Sequence, residues 1–357
     1  MKSLFYILTI IMVDLACLNS QINTVELSEL FRQLESQEEF NGSVLIAQGE
    51  EIIFRANIGM ADFDAEVPIN DSTIFELASL GKQFTAMGIM ILQERDKLDY
   101  DDLVRDHLPS FPYDNISIRH LLTMTSGITD YLNFSIELED QEIATNNDIS
   151  TFYASSAPLL EFEPGHRFKY SNVNYVFLAE VIKSVSSKSF ESFLEEHIFK
   201  KLGMNSTRSY NTRFTQSESL PNYAYPYVKS EVGNVRSNLN EASKYIITLS
   251  AIEGDGCIVS SLGDLFKWSQ ALKTAALISE DNLAEAYSPY ILNTGEKSDY
   301  GFGIYLSAGK AWHTGGWPGV QTSFTRYLEK DIVAIFLKNV ESHNWQWISD
   351  FERILLK

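Results

Sequence analysis

A chain of 357 residues is long enough to bury a large core in one or two domains. Its 45% hydrophobic and 21% charged residues are ordinary for a soluble globular protein, and no internal repeat at a fixed period is present, which excludes a repeat array. A formal charge of −20 with no basic cluster argues against a nucleic-acid partner, because an acidic surface repels a phosphate backbone.

The first residues stand apart. "MKSLFYILTIIMV" places one lysine before an apolar run that meets no charge until Asp14. That run is too short to span a bilayer and reads as a secretory signal over residues 1–20, cut near Ser20. The remaining chain is then expected to be periplasmic or secreted, with no integral membrane segment. An N-terminal core helix is the weaker alternative, because "NTVELSELFRQL" begins a fresh amphipathic segment. Lipid anchoring through Cys17 ranks second, since Asp14 stands where a bacterial lipobox usually has leucine. If Cys17 leaves with the signal, Cys257 has no disulfide partner. The six histidines (107, 120, 166, 197, 313 and 343) contain no i, i+4 pair, so there is no helical zinc-protease signature and no structural metal is expected; no cofactor is expected either.

In chain order, residues 23–37 have helical apolar spacing and predict a surface helix. "GSVLIAQGEEIIFRANIGMAD" gives two β-rich runs around Gly49-Glu50-Glu51, a hairpin. Residues 79–95 predict a mostly apolar, central helix. The middle of the chain carries further helical patterns, including "SIRHLLTMTSG", "SNVNYVFLAEVIKSVS" and "SSLGDLFKWSQALK". "YGFGIYLS", "AWHTGG", "VQTSFTRYLE" and "DIVAIFLKNV" then read as strands with short connections, which pair antiparallel. "NWQWISDFERILLK" closes as a helix. The economical fold is α+β: one antiparallel sheet built from both chain ends, terminal helices on one face, and a helical insertion. It divides residues 21–357 into a sheet part (about 21–100 and 290–357) and a helical part (about 101–289).

Three short segments can carry chemistry. Ser79 and Lys82 are three apart, so on a helix Oγ and Nζ share a face. A serine hydroxyl needs a base, and a lysine becomes one when burial lowers its pKa. The bland reading is a helix cap and a solvated lysine, and Ser307 and Lys310 repeat the spacing in a strand-and-turn region. Tyr170-Ser171-Asn172 lies between a Gly-Pro turn and a helix. There a tyrosine can present its hydroxyl as base or relay, a phenolate being favoured beside a lysine, and Asn172 can bind a substrate carbonyl. "YDN" at 113–115 and "YLN" at 131–133 match the same pattern. In "WHTGGWPG", Gly315 and Gly316 let a substrate backbone approach a strand. One main-chain N–H there can join that of Ser79 in an oxyanion hole, while His313 and Thr314 can bind a carboxylate.

Taken together, Ser-x-x-Lys, Tyr-x-Asn and His-Thr-Gly in this order resemble the penicillin-recognising serine hydrolases, in particular the class C β-lactamase-like branch with its DD-carboxypeptidases and family VIII esterases. "ELASLGKQFTAMGIMIL", "ISIRHLLTMTSGI", "FEPGHRFKYSNVNYVFLAEVI", "DGCIVSSLGDLFKWSQAL" and "HTGGWPGV" extend the resemblance over roughly residues 35–340. It selects Ser79 over Ser307, and Tyr170 over Tyr113 and Tyr131. It implies the β-lactamase/transpeptidase-like fold and a covalent acyl-enzyme on Ser79. Lys82 would take the proton and Tyr170 shuttle it. The N–H groups of Ser79 and Gly316 would hold the oxyanion, and Asn172, His313, Thr314 and Gly315 would bind substrate. The expected reaction is cleavage of a D-amino-acid peptide or a carboxylic ester; a β-lactamase or a non-catalytic wall-peptide binder is the alternative. Two positions depart from the family. His313 replaces a common lysine and is expected to carry a partial, pH-dependent charge. Cys257 stands where glycine is common. No Gly-x-Ser-x-Gly elbow occurs, which argues against an α/β-hydrolase.

Overall fold

The computed structural model describes residues 22–138, 143–210, 220–231, 233–243, 245–274, 276–342 and 346–357; the expected signal segment and Cys17 lie outside them. Helix α1 (Thr24–Ser36) starts where Asn23 Oδ1 accepts from the N–H groups of Val25 and Glu26, at 3.2 and 3.1 Å. It buries Leu27, Phe31 and Leu34, the stripe that its spacing predicts. Strands β1 (Gly42–Gln48) and β2 (Glu51–Ile58) follow as a hairpin. Helix α2 (Lys82–Glu94) follows the hairpin, and α3 (Val173–Ser186) and α4 (Leu262–Ala271) come from the middle of the chain. The end of the chain gives β3 (Tyr305–Ser307), β4 (Lys310–Trp317), β5 (Val320–Tyr327), β6 (Ile332–Lys338) and helix α5 (Trp347–Leu356).

The six strands form one antiparallel sheet in the order β3-β4-β5-β6-β1-β2, so both chain ends meet at the β6–β1 pairing. Because side chains alternate along a strand, each central strand serves two cores. Val44, Ile46, Ala334 and Phe336 join Phe31 and Phe351 beneath the terminal helices. Leu45, Ala47, Val333 and Ile335 join α2 and α3 on the other side. Burial on both faces explains why "DIVAIFLKNV" is apolar almost throughout. Phe31 packs against Phe40, Phe54, Phe336 and Trp347, and burying a ring of that size contributes about 2–3 kcal/mol.

Two differences from the sequence expectation matter for the site. "SIRHLLTMTSG" is helical only over Ile118–Leu122. The chain then turns, with Met124 at φ 58°, and Ser126 Oγ accepts from the Ile128 N–H instead of allowing another helical turn. The loop so formed runs through Asp130 and Tyr131. Between the N-terminal hairpin and the C-terminal strands the chain also contains short strands, Phe75–Glu76, Arg208–Ser209 and Ile258–Ser260, in one small sheet. Runs of two or three residues carry no readable period.

Candidate active site

Ser79 sits in a 3₁₀ turn, Ala78–Gly81, that leads directly into α2. The turn is held from both sides. The Leu77 N–H donates to the Ile258 carbonyl at 2.8 Å, and Thr322 Oγ1 on β5 donates to the Leu77 carbonyl at 2.8 Å. Ala78 has φ 48°, a left-handed conformation that an alanine holds only when its surroundings impose it. Gly315 supplies part of that constraint. A Cβ there would lie 2.1 Å from the Leu77 oxygen and 2.3 Å from Thr322 Oγ1, so its missing side chain makes room for the nucleophile turn rather than for substrate. Gly316, expected to share that role, has nothing within 4 Å of an added Cβ and opens on the cleft.

Lys82, the first residue of α2, is fully buried. Its Nζ donates to Ser79 Oγ at 3.0 Å, Asn172 Oδ1 at 2.8 Å and the Asp255 carbonyl at 2.7 Å. An ammonium has three N–H donors, and all three are used. Burial disfavours the charge and brings the pKa down to about 8, with Asp255 and Asp130 opposing that fall. At pH 7 roughly a tenth of the molecules then carry a neutral amine.

Asn172 precedes α3, and the nearby Tyr170 hydroxyl interacts electrostatically with Ser79. The Tyr170 ring lies 5.0 Å from Lys82 Nζ, centroid to atom. Three distant segments thus meet at Ser79. The phenolate expected for Tyr170 is not what its surroundings favour. Burial raises its pKa, the nearby Asp255 and Asp130 add to the rise, and the interaction with Ser79 opposes it only in part, so the phenol stays protonated.

His313 also needs correction. It alternates inward on β4 while Thr314 faces out, and it is 2% exposed. Its Nδ1 lies 2.6 Å from the Thr314 carbonyl and its Nε2 3.1 Å from the Tyr300 hydroxyl. A carbonyl only accepts, so Nδ1 carries the hydrogen and Nε2 accepts from the phenol. Burial and the Lys82 charge pull its pKa down to about 3. His313 is therefore neutral and lies behind the cleft wall. The expected partial charge does not exist near neutral pH.

The cleft beside Ser79 has a volume of about 670 Å³ and is lined by Asn172, Thr314, Gly315 and Gly316 among others. β3 pairs with β4 only over Lys310–Trp312, so the next five residues of β4 have no β3 partner along that edge. Tyr245, Leu249, Ile252, Trp317 and Val320 give the cleft an apolar wall. Its charged lining residues are Asp255 and Glu341; no lysine, arginine or histidine lines it among the described residues. Cys257 lines it too, buried, with Sγ donating to the Ser250 carbonyl at 3.3 Å. Its φ of 57° explains why glycine suits this position.

The competing motifs fall elsewhere. Ser307 Oγ accepts from Trp312 Nε1, while Lys310 Nζ reaches Glu352, so that pair does not converge. The Tyr113 hydroxyl donates to the Pro158 carbonyl. Tyr131, however, does reach the site: its hydroxyl donates to Asp255 Oδ2 at 2.8 Å. Asp130 and Asp255 are not singled out by sequence reasoning, and Tyr131 is passed over there in favour of Tyr170. The one signal for Asp130 was the turn-forming run after "TSG", where its Oδ1 accepts from the Leu132 N–H.

Comparison with known proteins identifies the family. The Beta-lactamase family model matches residues 27–357. Penicillin-binding protein 4* of Bacillus subtilis (strain 168) is 39% identical over 340 residues, covering 93% of this chain and 74% of that one. The penicillin binding protein from Bacillus halodurans superposes with a TM-score of 0.78 at 28% identity, over 91% of this chain and 98% of that one. The D-amino acid amidase from Ochrobactrum anthropi SV3 shares the fold, with a TM-score of 0.73 at 22% identity over 93% of this chain and 97% of that one. A buried lysine on a serine turn, in a fold and sequence so matched, places this chain in the beta-lactamase family of serine hydrolases.

Proposed function

We propose that this chain hydrolyses carboxylic esters or amides, D-amino-acid peptides among the amides, through an acyl-enzyme on Ser79. The observation that carries the reading is the set of three donations from Lys82, which bring a buried amine against a serine hydroxyl. In the neutral fraction, Lys82 Nζ accepts the Ser79 proton as Oγ attacks the carbonyl carbon. The oxyanion that forms is met by the main-chain N–H groups of Ser79 and Gly316. Collapse breaks the bond to the leaving group, which takes a proton through the Tyr170 hydroxyl. Water then attacks the acyl-enzyme and returns Ser79. Asn172 keeps one Nδ2 hydrogen for the substrate after its bond to Asp130, and Thr314 offers a hydroxyl at the exposed edge of β4.

Charge ranks the substrates. A penicillin and a D-alanyl-D-alanine terminus both carry a carboxylate, and the described cleft presents carboxylates and no cation to meet it. Esters and amides without that carboxylate come first, with β-lactams below them. The run "MKSLFYILTIIMV" supports export by a signal peptide; no described helix is long and apolar enough to cross a membrane. A panel of a nitrophenyl ester, a D-Ala-D-Ala peptide and a chromogenic cephalosporin tests the reading. Multiple turnovers of the ester are expected. Stoichiometric labelling by a penicillin with no turnover of any substrate would make the protein a binder instead.

A further inference from the structure

Two consecutive residues outside the three family segments hold two of the hydrogen-bond partners of Lys82. The Asp130 carboxylate accepts at Oδ2 from both the Asn172 N–H, at 2.6 Å, and Asn172 Nδ2, at 3.0 Å, while its Oδ1 accepts from the Leu132 N–H at 3.0 Å. A carboxylate only accepts, so the Asn172 amide has one allowed orientation, with Oδ1 aimed at Lys82. The next residue, Tyr131, donates to Asp255 Oδ2 at 2.8 Å, and the Asp255 main-chain carbonyl is the third acceptor for Lys82. The dipeptide thus anchors two of the three partners of Nζ.

The consequence follows from counting hydrogens. A neutral amine has two N–H groups and one lone pair. Asn172 Oδ1 and the Asp255 carbonyl cannot donate, so each must receive an N–H. Ser79 is the one partner of the three that can donate. We propose that Asp130 and Tyr131 are positioning residues that fix both N–H groups of the neutral lysine and so direct its lone pair onto the Ser79 hydroxyl. The inference rests on the acyl-enzyme reading above.

Asp130 also contributes charge. The titratable groups around Nζ are Asp130 from the loop, Tyr170 and Tyr175 around the start of α3, Asp255 with Tyr131 bound to its carboxylate, and His313 on β4. Burial holds the three tyrosines protonated and His313 neutral, which leaves the two aspartates as the anions that favour the ammonium. Removing the Asp130 charge therefore lowers the Lys82 pKa. The acid limb of the rate profile then moves to lower pH, a change that simple damage to the loop does not produce.

The test is the pH dependence of kcat and KM for nitrophenyl ester hydrolysis by the full chain and three variants. Asp130→Asn is expected to lower the plateau kcat by about tenfold to a hundredfold, because the base is misaimed, and to move the acid limb downward. Asp130→Glu keeps the charge but displaces it, so the plateau falls and the limb stays. Tyr131→Phe removes a neutral donor, with the same outcome. A wild-type plateau in Asp130→Asn or Tyr131→Phe, or an unmoved acid limb in Asp130→Asn, overturns the proposal. If Asp130→Asn does not fold, the plateau of Asp130→Glu decides in its place, a wild-type value overturning the proposal. Absence of turnover by the unsubstituted chain would strike the acyl-enzyme reading itself, so the two failures are distinct.

Discussion

Replacing Gly315 by alanine is expected to disable the enzyme from behind. The added Cβ would stand 2.1 Å from the Leu77 carbonyl oxygen and 2.3 Å from Thr322 Oγ1. Neither atom is the free end of a flexible side chain. Leu77 O is backbone, and Thr322 Oγ1 is bonded to it at 2.8 Å. Relief requires the 77–79 segment to move away from β4 by on the order of 1 Å, and Ser79 moves with it. A displacement of that size at a reacting group costs about a hundredfold in rate, and forcing an atom into a packed site costs about 1–3 kcal/mol of stability. Gly316→Ala is the control, because its Cβ meets nothing within 4 Å. That variant is expected to unfold at the wild-type temperature; it controls for stability and not for rate, because its main-chain N–H is assigned to the oxyanion hole and its added methyl enters the cleft. Steady-state ester hydrolysis and thermal unfolding of the two variants decide the matter. Wild-type kcat and Tm in Gly315→Ala would refute the packing argument.

Acylation should require neutral Lys82. The kcat/KM profile is then expected to fall about tenfold per pH unit below a midpoint near 8; a flat profile from pH 6 to 9 would contradict this. Tyr170→Phe should slow amide cleavage far more than nitrophenyl ester cleavage, because only the poor leaving group needs the phenol's proton. Equal losses on both substrates would remove that role. His313 should stay neutral in the folded protein, so its imidazole NMR signals are expected not to titrate between pH 5 and 8. Because the unfolded chain takes up a proton there that the folded chain refuses, stability should fall as pH drops below about 6.5. A folded-state midpoint near 6.5 would show the imidazole to be solvated.

The sheet was readable because its strands are long, alternate or run continuously apolar, and have short connections that leave little choice but antiparallel pairing. The Ser79–Lys82 pair was readable only in context, since Ser307 and Lys310 have the same spacing and diverge. His313 was misjudged by residue type. Position within the strand decided its state, because the inward-facing side of "AWHTGGW" that also holds Ala311 and Gly315 is buried. Tyr131 was set aside as an accidental match to Tyr-x-Asn, yet it touches Asp255 beside the nucleophile. Asp130 and Asp255 lie in irregular segments, where no period marks a side chain as inward. Their significance arises from contacts between positions 42 and 124 residues apart, which local pattern does not encode.

The most direct test is to treat the protein with a fluorescent phosphonate, locate the adduct by peptide mass spectrometry, and repeat both labelling and ester hydrolysis with Ser79→Ala. One adduct is expected, on Ser79, with a folded variant that neither labels nor hydrolyses. An adduct on any other residue, or wild-type turnover by Ser79→Ala, would contradict the acyl-enzyme reading.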